Sequence, residues 1–251
     1  MYDDLARPPL RAAQLNRALA SAGWRLDVVE EAASTNALAA ERARSGEVPG
    51  LVIVAETQSA GRGRLDRTWV SPPRAGLTFS ALVEVVGSPT WLPLLAGVAV
   101  ASALRSHAGI VATLKWPNDV LVDGRKVGGI LSELATPTCA VLGVGLNVST
   151  TAAELPAPQA GSLLLAGAST TDRDTVLRAV LRQLRQVLDD PEAGKAAYPD
   201  LCSTLGHEVQ LELPHGATVT GTADGLDENG RIIVAGTAYG AGDVVHLRPR
   251  T

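Results

Sequence analysis

Apolar positions recur at helical spacing first. Leu15, Ala18, Leu19 and Ala22 predict a helix that ends near Gly23. "WRLDVV" then alternates and predicts a strand. Ser34 or Thr35 is placed to cap a helix over "NALAAERARSG", which Gly46 stops. The apolar runs "LVIVAE" (51–56) and "LTFSALVEV" (77–85) predict buried strands on either side of a loop rich in glycine and arginine. "LPLLAGVAVASAL" (92–104) predicts a buried helix. Pro93, Gly97 and Ser102 interrupt it, and it is too short to span a bilayer.

The middle of the chain reads as strands. "VATLKW" runs into Pro117-Asn118-Asp119. "VLVDGRKV" folds back through Asp123-Gly124, and "GILSELA" and "CAVLGVGLNV" predict two further core strands. "AAELPAPQAGS" is a proline-containing surface loop. Val176, Leu177, Val180, Leu181, Leu184, Val187 and Leu188 mark an amphipathic helix. A boundary is expected at 191–205. Beyond it "HEVQLEL", "ATVTGTADGL", "RIIVAG" and "DVVHL" are short strands separated by "PHG", "DENG" and "YGAG". The pattern predicts a larger mixed α/β unit over residues 1–200 and a small β-barrel over 201–251. There is no internal repeat, and no strict βαβαβ alternation.

Composition narrows the picture. The chain has 251 residues, 46% hydrophobic, enough for one sizeable core and a small second unit. Aromatic residues are only 3%, so Ala, Val, Leu and Ile must fill that core. A net charge of −4 argues against general binding to nucleic acid or to an anionic membrane. Of 22 basic residues, only Lys115, Lys126 and Lys195 are lysines. In so arginine-biased a chain, a retained lysine marks either chance or a need for a compact ammonium. Cys139 and Cys202 lie far apart with no CxxC or Cys/His cluster, which predicts free structural thiols in a reducing cytosol. "MYDDLARPPLRAA" lacks the apolar core of a signal peptide, so a cytoplasmic location is expected.

Four stretches carry candidate chemistry. "ETQSAGRGRLDRTW" (56–69) sets Arg62, Arg64 and Arg67 on a loop leaving a buried strand. Gly61 and Gly63 permit close backbone approach and positive φ, and the guanidinium forks suit phosphate or carboxylate. With few apolar anchors, the loop is expected to be mobile when empty. The plain alternative is a solvated basic loop or an RNA contact; no GxxxxGK[ST] occurs. In "KWPND", Lys115 can neutralise phosphate, and Asp119 can hold Mg²⁺ or a ligand donor; a strand-ending turn explains the same residues. In "GRKVGGIL", Arg125 and Lys126 must face opposite sides of a strand, one into a site and one to water, unless this is only a bulged hairpin. Ser34, Thr35 and Asn36 stand at a helix start, where capping accounts for one of the three.

Together "STN", "ETQSAGRGR..RTW", "KWPNDV", "GRKVGGIL" and "LGVGLNV" resemble the biotin–protein ligases in order and spacing, from about Ser34 to Asn147. The C-terminal strands are similar to that family's small SH3-like domain. The resemblance implies a mixed sheet with flanking helices, of the class II aminoacyl-tRNA synthetase and lipoyl ligase kind. It implies an ATP-dependent, AMP-forming enzyme that makes biotinyl-5′-AMP from biotin and ATP, with Mg²⁺. Biotin then passes to a lysine of a biotin carboxyl carrier domain.

By the same resemblance, Arg62, Arg64, Arg67, Lys115 and Lys126 carry the catalysis. Ser34, Thr35, Asn36, Gln58, Gly61, Arg62, Gly63, Arg64, Lys126, Gly129 and Gly143 face biotin or its activated carboxyl. Arg64, Arg67, Trp69, Lys115, Asn118, Asp119 and Asn147 lie near the nucleotide, and Asp119 is the candidate for Mg²⁺. The stretch before the first strand is too short for the DNA-binding module of some members, so no DNA partner is expected; monomer and homodimer both stay open. Asp66 stands where the family usually has Gly, which predicts a weaker or differently ordered adenylate loop. Three rivals remain at this point: a lipoate ligase of the same fold, an RNA-binding module, and a biotin-binding protein without catalysis.

Overall fold

The structure, a computed structural model, describes residues 7–65, 67–214 and 216–247. Helix α1 (Ala12–Leu19) ends in a short 3₁₀ turn, and Gly23 closes it at φ +74°, a left-handed conformation suited to glycine. Strand β1 (Arg25–Ala32) pairs in parallel with β2 (Leu51–Gln58), and helix α2 (Thr35–Arg44) makes the crossover between them. The other strands are antiparallel: β3 (Gly76–Glu84), β4 (Ala112–Lys115), β5 (Asp119–Val122), β6 (Arg125–Thr136) and β7 (Cys139–Asn147). The sheet runs in the order β1-β2-β3-β7-β6-β5-β4.

Sheet periodicity sends alternate residues to two unequal faces. On one side Val52, Val54, Leu77, Phe79, Leu142 and Val144 meet helix α3 (Leu92–His107), with α4 (Arg173–Asp189) and α1 behind it. α3 is apolar all round because sheet and helices enclose it. On the other side only α2 covers the sheet, setting Ala39 and Ala43 on Leu51, Ile53, Leu82 and Val141. α2 is one short helix, and the face continues beyond its N-terminus.

Three expectations need correction. First, the stretch 191–205, where the boundary is expected, holds a helix that the periodicity did not predict: Pro191–Leu201 is helix α5, packed on α3 through Gly194, where a Cβ would come within 2.7 Å of Leu95. Its start signal is present in the sequence, since Asp190 accepts a hydrogen bond from Ala193 N (3.1 Å) and Pro191 occupies the first turn. Second, "GRKV" and "GILSELA" form one continuous strand, β6, which tolerates its two glycines because both its edges are paired. Third, "YGAG" overlaps an extra short strand over Thr237–Tyr239.

The C-terminal region is an antiparallel sheet of β8 (Glu208–Glu212), β9 (Thr218–Leu226), β10 (Ile232–Val234), β11 (Thr237–Tyr239) and β12 (Asp243–His246), in the order β11-β10-β9-β8-β12. It is docked on the larger sheet. Ser203 N donates to Leu114 O (2.7 Å), Trp116 N to Thr204 Oγ1 (3.0 Å), and the Trp91 indole to Glu228 O (2.8 Å). Val209, Leu211, Ile232 and Val244 extend the same apolar core. Both cysteines are buried free thiols, and burial pushes the Cys139 thiol above its ordinary value, which leaves it inert. Among the described residues no helix is long and apolar enough to cross a membrane.

One buried ion pair ties the N-terminal segment to this frame. Arg173 Nη1 meets Glu56 Oε2 at 2.6 Å, with both side chains at most 5% exposed. The remaining oxygen of Glu56 accepts from Leu10 N (2.6 Å), and Arg173 Nη2 donates to Pro8 O (2.7 Å). Arg173→Met leaves the buried carboxylate without its counter-charge, so urea unfolding should show a loss of about 3–5 kcal/mol. A loss below about 1 kcal/mol would mean that water reaches Glu56 and the pair holds nothing together.

Candidate active site

Where α2 stops, the exposed sheet face loses its side chains. Gly143 lies opposite Ser80 on β3 and Leu131 on β6, and Gly145 lies opposite Thr78 and Gly129. A side chain at Gly143 would overlap Asn36 Oδ1, and one at Gly145 would come within 2.5 Å of the Trp69 ring. The glycines thus form a flat floor on which Asn36 and Trp69 rest, two residues apart on β7, or roughly 7 Å. A cavity of about 340 Å³ opens over this floor.

One end of the cavity is polar and dry. Ser34 caps α2 and accepts from Ala37 N (3.4 Å). Thr35 N donates to Gln58 Oε1 (2.7 Å), and the Thr35 hydroxyl lies 3.1 Å from the same oxygen. Ser80 Oγ lies 2.8 Å from Thr35 Oγ1 and donates to Asn36 Oδ1 (2.6 Å). Ser34, Thr35, Asn36 and Ser80 are all buried, so these bonds replace water. The helix start therefore contributes more than a cap: Thr35 and Asn36 turn their side chains into the cavity.

The other end is cationic. Lys126 enters the cavity and pairs with Asp119 (Nζ–Oδ1 2.6 Å), while its neighbour Arg125 is exposed and donates to Pro158 O (3.0 Å). Lys115 lies at the end of β4. Burial pushes its ammonium below the ordinary 10.5, Asp119 opposes this, and Lys126 and Arg67 reinforce it. Burial likewise lowers Arg64, reinforced by Arg67 and opposed by Asp119. Arg64 finds only the long contacts to Asn118 Oδ1 (3.5 Å) and Gly242 O (3.4 Å). Among the described residues neither Arg64 nor Lys115 forms an ion pair. Two half-desolvated cations that form no ion pair among the described residues are suited to an anion.

The arginine loop folds over both ends as a tight hairpin. Trp69 N donates to Gly61 O (2.9 Å), Gly63 N to Arg67 O (2.6 Å), and Arg62 bridges to Thr68. Neither Gly61 nor Gly63 takes a positive φ. Gly61 instead admits the Trp69 carbonyl where a side chain would overlap it, and Leu65 takes the left-handed conformation at the tip, φ +52°. The three arginines part company: Arg62 pairs with Glu133 (2.8 Å), Arg67 with Asp243, and Arg64 points inward. Asp66 lies outside the described residues.

Nearly every candidate residue lines this one cavity; two do not. Gly61 acts at the base of the hairpin. Asn147 shares the parity of Gly143 and Gly145 but is buried at the end of β7, outside the cavity lining, where its Nδ2 donates to Gly161 O (2.9 Å). Asn118 lines the cavity while exchanging bonds with Ile130: its Nδ2 donates to Ile130 O, and Ile130 N donates to its carbonyl, both at 2.9 Å. Sequence reasoning missed Ser80, Glu133, Glu212 and Asp243. Ser80 was findable, with Thr78, as a hydroxyl in a mostly apolar strand, and Glu133 as a charge in "GILSELA" sharing the parity of Gly129. Glu212 and Asp243 come from the C-terminal sheet and carry no such local signal.

Comparison with known proteins agrees with this geometry. The model of the Biotin/lipoate A/B protein ligase family matches residues 28–147, and that of the Biotin protein ligase C terminal domain matches 204–247. The chain is 44% identical to the biotin--[acetyl-CoA-carboxylase] ligase of Mycobacterium tuberculosis, over 98% of each chain. It is 31% identical to the bifunctional ligase/repressor BirA of Escherichia coli, over 76% of this chain and 64% of that protein. Among solved structures, the biotin protein ligase from Aquifex aeolicus in complex with biotin and ATP superposes with a TM-score of 0.75 at 31% identity, covering 88% of this chain and 99% of the other.

Two outcomes follow from the site as built. Gly145→Ala should lift Trp69 off the floor. Trp24, Trp91 and Trp116 are buried, so acrylamide quenching of tryptophan fluorescence should rise in Gly145→Ala and the rise should vanish in a Trp69→Phe background; unchanged quenching would place Trp69 elsewhere. Lys115 has a folded value below its unfolded one. The unfolded chain therefore binds more protons between those two values, and stability rises with pH across that window. Urea titrations up to pH 10.5 should show this gain in the native chain and its loss in Lys115→Met; equal slopes would mean that Lys115 is fully hydrated.

Proposed function

The chain belongs to the biotin/lipoate A/B protein ligase family, and from that premise we propose that its cavity activates biotin with ATP and hands it to protein. The carboxylate oxygen of biotin attacks the α-phosphorus of ATP, the bond to the β-phosphate oxygen breaks, and biotinyl-5′-AMP and pyrophosphate form. The neutral amine of a lysine on a biotin carboxyl carrier domain then attacks the acyl carbon, expelling AMP and losing a proton. The single observation that carries this reading is the Arg64–Lys115 pair, two under-solvated cations at one end of a floor whose other end is a buried hydroxyl and amide cluster.

Each half of the cavity suits one part of the reaction. A carboxylate and a triphosphate repel, so the first step needs charge screening and alignment more than it needs a base. Arg64, Lys115 and Lys126 supply fixed positive charge from a region poor in water, where such charge acts strongly. Arg67 stands at the rim, and its partner Asp243 has to yield it when phosphate arrives. Ser34, Thr35, Asn36 and Gln58 match the ureido ring, which offers two N–H donors and one carbonyl acceptor. Gly129 and Gly143 let the ring lie against the sheet, and Arg62 with Gly63 covers it. Trp69 and Asn118 are placed to meet the nucleotide. The closed hairpin keeps water from the mixed anhydride.

Mg²⁺ fits this site as a companion of the triphosphate. Asp119 is the carboxylate nearest the cations, and among the described residues no cluster of three metal-ligating side chains exists. One carboxylate plus phosphate oxygens is an ordinary Mg²⁺ environment, in which the ion offsets phosphate charge. The division into a catalytic unit over 1–200 and an SH3-like unit over 201–251, and a cytoplasmic setting, complete the reading. The polar end disfavours lipoate, whose dithiolane ring has no N–H donor to offer. Carboxylate partners on Arg62 and Arg67 disfavour a loop built for RNA.

Pyrophosphate exchange into ATP tests the proposal, with biotin, lipoate or no acid. Exchange with biotin alone is expected, and exchange with lipoate alone would overturn the substrate. Lys126→Ala should lower biotin-dependent exchange by about 100-fold or more while leaving the urea midpoint near that of the native chain. Native-like turnover in that variant would remove Lys126 from the reaction.

A further inference from the structure

We propose that Glu133 is a positioning residue that sets the hydrogen-bonding polarity of the ureido subsite and anchors Arg62 beside it, an inference that rests on the biotin reading above. Glu133 lies on β6 with the parity of Gly129 and Leu131, so its side chain reaches over the floor instead of away from it. Its two carboxylate oxygens hold two different groups. Oε1 accepts from Arg62 Nη2 of the hairpin (2.8 Å), and Oε2 accepts from Asn36 Nδ2 at the start of α2 (2.8 Å). No other side chain among the described residues bonds both the hairpin and that helix start.

The consequence lies in proton counting. The second Nδ2 proton of Asn36 points to Leu131 O (3.3 Å), so both amide protons are committed to β6. Asn36 Oδ1 is thereby turned to Ser80, which is fully buried and donates its one hydroxyl proton there. Ser80 then has none for Thr35, whose own hydroxyl proton must go to Ser80 or to Gln58 Oε1. This order presents acceptor oxygens to the ligand and leaves Gln58 Nε2 as a donor. A cyclic urea, with two N–H groups and one carbonyl, matches it; a ring without N–H does not. Without the Glu133 carboxylate, the Asn36 amide is free to turn over, with its NH₂ toward Ser80 Oγ, and the match is lost. The same loss frees Arg62 from its anchor.

Glu133→Gln tests this. A carboxamide keeps the size of the side chain but replaces one carboxylate oxygen with an NH₂ donor, and because Arg62 and Asn36 meet different oxygens, one of them then faces a donor. Pyrophosphate exchange is measured on the native chain and the variant with biotin and ATP titrated separately, and thermal melts of both are recorded. The KM for biotin is expected to rise by about tenfold or more, because a site built around hydrogen bonds discriminates sharply when they are misplaced. The KM for ATP should stay within about twofold, a split that a general weakening of the fold would not produce. Ser80→Ala loosens Asn36 from the opposite side while leaving Arg62 on Glu133. Its biotin effect should be sub-additive with that of Glu133→Gln in the double variant. A rise in biotin KM that is less than about fivefold, or that does not exceed the ATP effect by about that factor, overturns the assignment. Absence of biotin-dependent exchange in the native chain instead sinks the ligase reading, and the role of Glu133 with it.

Discussion

Gly129, Gly143 and Gly145 strip the side chains from a patch of sheet that α2 does not reach, and the rest of the site is arranged around that bare backbone. Asn36 and Trp69 pack where side chains from β7 would otherwise stand. Backbone groups in a sheet interior are already paired along the ladder, so such a floor is flat and rigid, and it costs no unsatisfied polar group. A planar ligand can lie on it at van der Waals distance. The opposite face of the same strands carries Leu142, Val144 and Leu146 into the main core, which holds the floor in place.

Charge over that floor is sorted by pairing. The hairpin carries three guanidinium groups, yet Glu133 and Asp243 already engage the outer two. Arg64 and Lys115 are left with burial and no carboxylate of their own, and both are pushed below their ordinary values. Both therefore carry a desolvation cost that a nearby negative charge would offset. Arg62 and Glu133 sit at the other end, beside the buried hydroxyl and amide cluster, where the groups are joined by directional hydrogen bonds.

The C-terminal sheet belongs to the site as well as to the fold. Glu212, Asp243 and Val244 line the cavity, and Gly242 O meets Arg64. Its anchorage through Thr204 to Trp116, directly after Lys115, joins it to the cationic end. The hairpin is thus held between two sheets, one supplying the floor and the other a wall.

Much of this was legible in the chain. Apolar periodicity identified the buried strands, α3 and α4, because burial on one or both faces leaves a local imprint on composition. The Gly-Arg-Gly-Arg and Lys-Trp-Pro-Asn-Asp motifs marked both sides of the cavity, because glycine, lysine and arginine are used there for properties no other residue shares. α5 was missed although Asp190-Pro191 announced it, since a small amphipathic helix after a long one resembles a linker. The pairings of Arg62 with Glu133 and Arg67 with Asp243, the bond that holds Asn147 to Gly161 outside the cavity, and the wall from the C-terminal sheet were not readable. Residue type and spacing encode local geometry, whereas which charge remains unpaired depends on contacts between residues 71 apart or more, and only the folded sheet decides those.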